Sequence, residues 1–369
     1  MTVSKDALLP DPAQEMLLRA ALAAEDAAIA DCFEQWLRLV PFDAYHDEGT
    51  YRLLPMVWSR LSRAGIDHPL LPRLKGLFRN SWVRSTQRIA RASELLTLFD
   101  REGIATLVGK GLPLALDFYD APALRPMNDI DIVVPLEAAR RASALLEREG
   151  FRSERIRWSS ECRLRHALLH RDPGGAEVDL HWHVLFDCPN RRADAHFWDN
   201  AVPFAVGEAR TLRPSATDLL LQVVVHGLRP NAAPPVRWVA DAAMIVRSGE
   251  RVDWQRLEAF AGEQGLGGRL ALGLAYLRDR FGIDVPAATI AALAARPSLF
   301  ERFELMAMRA ETGNPVWRHM RRGAHVVRLL KSDRRPWSLP LALAAEFHKR
   351  YLRTDPDRGR AAREARHAQ

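Results

Sequence analysis

The chain has 369 residues, of which 48% are apolar, and a formal net charge of +7 from 53 Lys and Arg against 46 Asp and Glu. That is ample for packed cores and suggests two or three domains, while the modest basic excess is compatible with a polyanionic substrate such as a nucleotide or RNA without demanding one. The three cysteines, Cys32, Cys162 and Cys188, are widely spaced and odd in number, which argues against a disulfide framework or a thiolate zinc site and for reduced thiols in a cytoplasmic protein.

The N-terminus carries Lys5, Asp6 and Pro10 and no apolar core of a signal peptide, and no apolar run approaches the length of about 18 residues needed to span a bilayer, so no membrane association is expected. Residues 1–13 are polar with two prolines and are expected to be loose. From 13 to 101 the pattern is helical. Its last helix places Ile89, Ala92, Leu96 and Phe99 on one face and Arg84, Arg88, Arg91 and Glu94 on another.

A first strand is expected at 105–108, then the turn Gly109-Lys110-Gly111 and a helix over 112–118. A second strand spans 130–134 and leads into a helix at 137–149 that Gly150 closes. Alternating runs at 163–170 and 177–185 flank Asp172-Pro173-Gly174-Gly175 and read as a hairpin. Beyond 214 the chain turns helical again, with helices about 219–225, 238–246, 254–260 and 270–276. The tail over 354–369, with alternating charges, is expected to be disordered. The organisation is thus a helical region (1–100), a mixed core (101–212), a second helical region (213–353) and the tail. Strands joined by few helices argue for an α+β fold with a small mixed sheet.

Asn128-Asp129-Ile130-Asp131-Ile132-Val133-Val134 carries the chemistry. Side chains alternate along a strand, so Asp129 and Asp131 share one face and Ile130 and Ile132 the other. Two adjacent carboxylates repel in a half-buried setting, and a hard cation such as Mg²⁺, which prefers oxygen ligands, relieves this. In Glu177-Val178-Asp179-Leu180-His181-Trp182 the same alternation sets Asp179, His181 and His183 on one face. If that strand lies beside the first, Asp179 completes a three-carboxylate cluster able to hold ions that bridge a triphosphate and a nucleophile. The turn at Gly109, Lys110 and Gly111 opens a helix and presents backbone N–H groups to an anion. A P-loop is excluded: five residues instead of four separate Gly103 from Gly109, and Gly111 stands where Ser or Thr is needed.

Three pieces in this order resemble the DNA polymerase β-type nucleotidyltransferase superfamily. The wording of Val108-Gly109-Lys110-Gly111, of Leu124-Arg125-Pro126-Met127-Asn128-Asp129-Ile130-Asp131 and of Val178-Asp179-Leu180-His181-Trp182 is similar to a bacterial family of uncharacterised nucleotidyltransferases. His226-Gly227 and Arg237-Trp238-Val239-Ala240-Asp241 resemble that family's C-terminal helical part, and the resemblance covers roughly 85–250. It implies a polymerase β-type core and transfer of a nucleoside monophosphate from an NTP to an acceptor hydroxyl or phosphate, with Mg²⁺ or Mn²⁺ as cofactor and pyrophosphate as product. Asp129, Asp131 and Asp179 are then the metal-binding and catalytic residues. Gly109, Lys110 and Gly111 receive the triphosphate, with Arg125 reaching a phosphate or serving a structural role. The chain departs from the superfamily at Lys110-Gly111, where Gly-Gly or Gly-Ser is usual and a serine hydroxyl would help hold the triphosphate. Neither the acceptor, which can be a small molecule, a protein or RNA, nor the oligomeric state follows from these residues.

Two other readings stand beside this one. The missing serine motivates a degenerate nucleotidyltransferase that binds a nucleotide or a partner without turnover. His181 and His183, added to the three aspartates, would supply ligands for a dinuclear metal hydrolase. His226, Arg237 and Asp241 are expected to form a polar network between helices. The basic segment 318–335 is expected to be a solvated helix face rather than an RNA guide, because only Trp317 and Trp337 at its ends offer stacking surfaces.

Overall fold

A computed structural model describes residues 6–333 except 24, 45–46, 159–161, 163–164, 230–235, 296 and 311–313. The expected tail at 354–369 lies outside the described residues, as do 334–353. Four helices come first: α1 (Pro12–Leu22), α2 (Asp26–Leu39), α3 (Glu48–Arg63) and α4 (Leu71–Arg101). α1 begins with a reciprocal cap, in which the Asp11 carboxylate accepts from the Gln14 N–H and the Gln14 side chain accepts from the Asp11 N–H. The expectation of a loose start is therefore corrected for residues 6–13. Leu8 is fully buried and the Ala7 N–H donates to the Arg309 carbonyl. The prolines signalled a loop, but the apolar Ala7-Leu8 pair between them and the terminus had a core to enter.

The central part runs β1 (Leu107–Val108), α5 (Gly111–Pro113) with a wider helical turn at Leu114–Phe118, β2 (Asp129–Val133), α6 (Ala139–Arg148), β3 (Arg152–Ser153), β4 (Ala167–Arg171), β5 (Glu177–His181), α7 (Arg191–Asp199), β6 (Val202–Val206) and β7 (Ala209–Arg213). The strands form one mixed sheet in the order β3-β4-β5-β2-β1-β7-β6. β4 and β5 make the hairpin expected across 172–175, and Gly175 takes φ +85° in its turn. β2 and β5 run parallel in a register that sets Asp131 opposite Asp179. The β6–β7 hairpin was not foreseen. Its cue was present: Gly207-Glu208 separates two alternating runs, and Gly207 has φ +59°.

Among the described residues seven helices follow: α8 (Ala216–Gly227), α9 (Arg237–Arg247), α10 (Trp254–Gln264), α11 (Gly267–Phe281), α12 (Ala287–Ala295), α13 (Leu299–Arg309) and α14 (Pro315–Asp333). The molecule is α+β, with helices before, within and after the sheet. None of its helices, among the described residues, is long and apolar enough to cross a membrane.

The sheet's two faces differ in what they meet. Ile130, Ile132, Val178 and Leu180 join Ala92, Leu96 and Phe99 of α4 and Leu145 and Leu146 of α6 in one core. Leu107 and Val133, on the other side, belong to a larger core that unites the N-terminal helices with α8 to α12. Asp129 and Asp131 share the face of Val133, so the acidic face looks toward the helical layer. α8 comes close because it crosses α9 at Gly227, where a Cβ would lie 2.2 Å from the Trp238 side chain.

Candidate active site

The site begins with strand alternation. Asp131 on β2 and Asp179 on β5 stand side by side, with Val133 and His181 one step further along the same face. The His181 Nε2 lies 3.0 Å from Asp131 Oδ1 and 3.2 Å from Asp179 Oδ2. Ligand atoms of Asp131, Asp179 and His181 all fall within 4.8 Å of one another, the scale of a single bound ion. Asp131 and His181 are buried and Asp179 is half-buried, so the cluster opens to solvent on the Asp179 side. The His181 imidazole thus joins Asp131 and Asp179 in this close group. Asp129 is on the same face but outside this close group.

Lys110 reaches the cluster from the next strand. β1 pairs with β2, and the Gly109 N–H donates to the Asp131 carbonyl at 3.1 Å, which fixes the turn against the acidic strand. The Lys110 ammonium is 3.8 Å from Asp131 Oδ1 and 3.4 Å from His226 Nδ1. Its backbone N–H donates to Gln222 Oε1 at 3.4 Å. Gln222 and His226 are one helical turn apart on α8, which is how both meet the same turn. A Cβ at Gly111 would lie 3.2 Å from Met127 Sδ, so a side chain there would crowd the turn.

The electrostatics follow from this crowding. Burial alone would raise the Asp131 carboxyl, but Lys110 and the His181 hydrogen bond outweigh it and hold it well below the usual carboxylate range. The Asp131 charge, then burial, pushes the Asp129 carboxyl up. Burial opposes a charged His181, yet the Asp179 charge and the hydrogen bonds to both aspartates push it up to about 9. His226 is held well below its ordinary value by the Lys110 charge first, then by burial and by Arg229. A surplus of carboxylate met by a lysine and an imidazole is a donor set that fits a divalent cation, because the hard oxygens are already converged and only partly neutralised.

Residues 50–282 match the family model described as "Uncharacterised nucleotidyltransferase", a stretch that holds the whole sheet and every site residue above. The chain belongs to that family. It is accordingly a nucleotidyltransferase by family. Among solved structures it is similar to an antigenic nucleotidyltransferase-like protein from Paracoccidioides brasiliensis at 15% identity, over 58% of this chain and 99% of that one, with a TM-score of 0.37. It is also similar to the antibiotic-resistance factor ANT(2'')-Ia at 13% identity, over 48% of this chain and 91% of that one, with a TM-score of 0.33. No curated protein matches it.

The sequence left Arg125 open between a phosphate contact and a structural role, and expected His226 in a network with Arg237 and Asp241. Arg125 does not face the turn's open side. It is 2% exposed and forms a two-pronged pair with Asp241, Nε to Oδ1 at 2.9 Å and Nη2 to Oδ2 at 3.0 Å. Its third nitrogen donates to the Gly111 carbonyl at 3.1 Å, so it braces the nucleotidyltransferase turn from behind. Asp241 also accepts from the Tyr119 hydroxyl at 2.8 Å and lies near Arg237, and these two helix residues do join a polar network. His226 does not belong to it and lies at Lys110 instead.

His183 also leaves the expected cluster. β5 ends at His181, the chain turns, and His183 Nδ1 pairs with Asp194 at 2.6 Å. The five-ligand hydrolase set is therefore not assembled. In the basic segment, Arg328 is buried against Glu304 rather than solvated, while Arg318 and Arg322 are not. Gln222 was missed, though its signal was plain: it is the one polar residue in the run Leu219-Leu220-Leu221-Gln222-Val223-Val224-Val225. His166, which packs edge-on to His181 with centroids 5.3 Å apart, carried no such signal.

Proposed function

We propose that this nucleotidyltransferase moves a nucleoside monophosphate from an NTP to an acceptor hydroxyl or phosphate, with release of pyrophosphate, and that it uses Mg²⁺ or Mn²⁺. One observation carries the reading. Asp131 and Asp179 face each other across adjacent parallel strands, and the Gly109-Lys110-Gly111 turn stands next to them. These two carboxylates, with Asp129 beside them, would hold the divalent ion, and His181 would orient them or join as a ligand. When bound, the ion supplies positive charge to phosphate and acceptor oxygens as charge develops in the transition state.

The chain's own groups do the rest. Gly109 and Gly111 let the backbone approach the triphosphate. Lys110 adds a point charge to it. Asp179, the more open carboxylate, takes the acceptor's proton as the new bond to phosphorus forms and pyrophosphate departs. Arg125 keeps the turn in place through Gly111. A cytoplasmic setting fits the three free cysteines.

A second reading, nucleotide binding without turnover, is favoured by the position of Lys110. Its ammonium lies on Asp131 where a cation would otherwise sit, in the turn that lacks the usual serine. The deciding experiment incubates the protein with each labelled NTP, Mg²⁺ or Mn²⁺, and a cell extract. Labelled product and pyrophosphate support transfer. NTP binding with no product from a rich acceptor pool supports the second reading. Stoichiometric zinc that is lost on His181→Gln would favour a hydrolase instead.

A further inference from the structure

A cavity of about 270 Å³ opens between α3 and α4, next to the loop that enters β2. Its wall includes Asn128, whose neighbour in the chain is Asp129, the first residue of the acidic strand. Two features of this cavity lack an internal explanation. Ser85 is 1% exposed, lines the cavity, and its hydroxyl has no hydrogen-bond partner. A buried hydroxyl of this kind is costly unless something else completes it. Arg84, also on the wall, is exposed, and its guanidinium forms no ion pair among the described residues.

Three of the other polar groups on the wall, Glu48, Arg52 and Asn128, are engaged with one another, while Tyr51 and Asn80 are exposed. Glu48 accepts from Arg52 and from Asn128. Ser81 donates to the Ala123 carbonyl at 2.7 Å. Arg88, beside Arg84 on α4, donates to the Asn128 carbonyl at 3.0 Å, which ties this helix to the metal strand. The buried vacant group is therefore the Ser85 hydroxyl at the floor, and the Arg84 guanidinium is the free positive charge at the rim. Pro55 and Leu77 supply an apolar wall between them.

We propose that this cavity is the acceptor pocket, and that the acceptor is a compact hydroxylated anion, its phosphate or carboxylate on Arg84 and a polar atom on Ser85 Oγ. The volume suits a molecule of a few carbons rather than a polymer, near the small end of ligand sites at roughly 300–1,000 Å³. A molecule held here would lie beside Asn128, the residue that leads into Asp129 at the start of the acidic strand. The proposal rests on the transfer reading above, but its first test does not use turnover.

Calorimetric titration of the full chain without NTP or metal uses two probe sets: small sugar phosphates with inorganic phosphate as control, and small hydroxycarboxylates. One-site binding of a member of either set, not matched by phosphate alone, is expected, and the responding set identifies the anion. Arg84→Ala should weaken it at least tenfold. Ser85→Ala should weaken it about threefold while leaving Tm equal to or above wild type, since it removes an unpartnered group. No binding by either set, or binding unchanged in Arg84→Ala, overturns the proposal. A second arm adds labelled NTP to the responding probe. Labelled probe as product, with the probe's KM raised and NTP affinity unchanged in Arg84→Ala, completes the case. If the probe binds through Arg84 and Ser85 but is never labelled while extract components are, the pocket is not the acceptor's and the proposal fails although transfer stands. If nothing is labelled from any source, the transfer reading fails and the acceptor assignment with it.

Discussion

Two clusters of buried charge lie on either side of the Gly109-Lys110-Gly111 turn, and they differ in completeness. Behind the turn, Asp241 receives two bonds from Arg125 and one from Tyr119, and the last Arg125 nitrogen is used on the Gly111 carbonyl. In front of it, Asp131 and Asp179 share His181, Lys110 lies on Asp131, the Asp129 carboxyl is pushed up, and the buried His181 Nδ1 has no partner. A closed set of partners marks a brace. An open one, facing solvent through Asp179, marks a place where something else binds. Buried charge alone would not have separated the two.

The comparison can be broken most sharply at Asp179. Asp179→Asn should lower nucleotidyl transfer by about 10³-fold, as expected when charge stabilisation worth several kcal/mol is lost, while NTP affinity changes little. Pyrophosphate release at the normal rate in this variant would end the catalytic assignment. Asp241→Ala should do the opposite. It leaves Arg125 buried without its partner and should cost about 3–5 kcal/mol of stability, read by denaturant unfolding. A variant as stable as wild type would mean the rear cluster is no brace.

A third cluster sharpens the point through pH. Burial alone would raise the Asp187 carboxyl, but Arg269, then Arg229 and Arg328, hold it well below the usual range. A depressed folded value gives stability that is present above the unfolded carboxyl value of about 3.9 and is lost as pH falls through the folded one. Asp187→Ala should therefore cost about 3 kcal/mol at pH 7, the low end because Glu304 stays near Arg269, and the gap to wild type should narrow only below about pH 4. Urea unfolding across pH 3–7 measures this, and a gap that closes between pH 7 and 5 would contradict it. The smallest effect is expected at Lys110. Lys110→Ala should weaken triphosphate binding about tenfold, the loss of one point charge near solvent, with the fold intact. Equal affinity in the variant would move Lys110 from nucleotide binding to the role of an internal counter-ion.

Much of this arrangement was legible residue by residue. Alternation placed Asp129 with Asp131 and Asp179 with His181, and Gly174-Gly175 marked the hairpin that brings β5 back. The apolar face of α4 was readable from spacing, and helices were expected in the α8–α9 region. What the sequence left open or missed shares a cause. Arg125 lies in a loop, and its partner Asp241 is 116 residues away, so no local pattern could choose between phosphate and carboxylate. His183 kept the strand's alternation on paper, but the backbone turned after His181 and carried it to Asp194. Ala7-Leu8 was read by its prolines and not by its apolar pair.

The sequence by itself determined which side chains share a face, because tetrahedral carbons and strand or helix periods are local properties. It determined the order of turn, acidic strand and second acidic strand, and with that order the family resemblance. Only the tertiary structure decided that β2 and β5 pair in parallel with Asp131 against Asp179, that the His181 imidazole joins them in one close group, and that α8 lowers Gln222 and His226 onto Lys110. Those are matters of register and packing between segments far apart in the chain. They are set by which cores the segments bury, not by anything the residues near each motif contain.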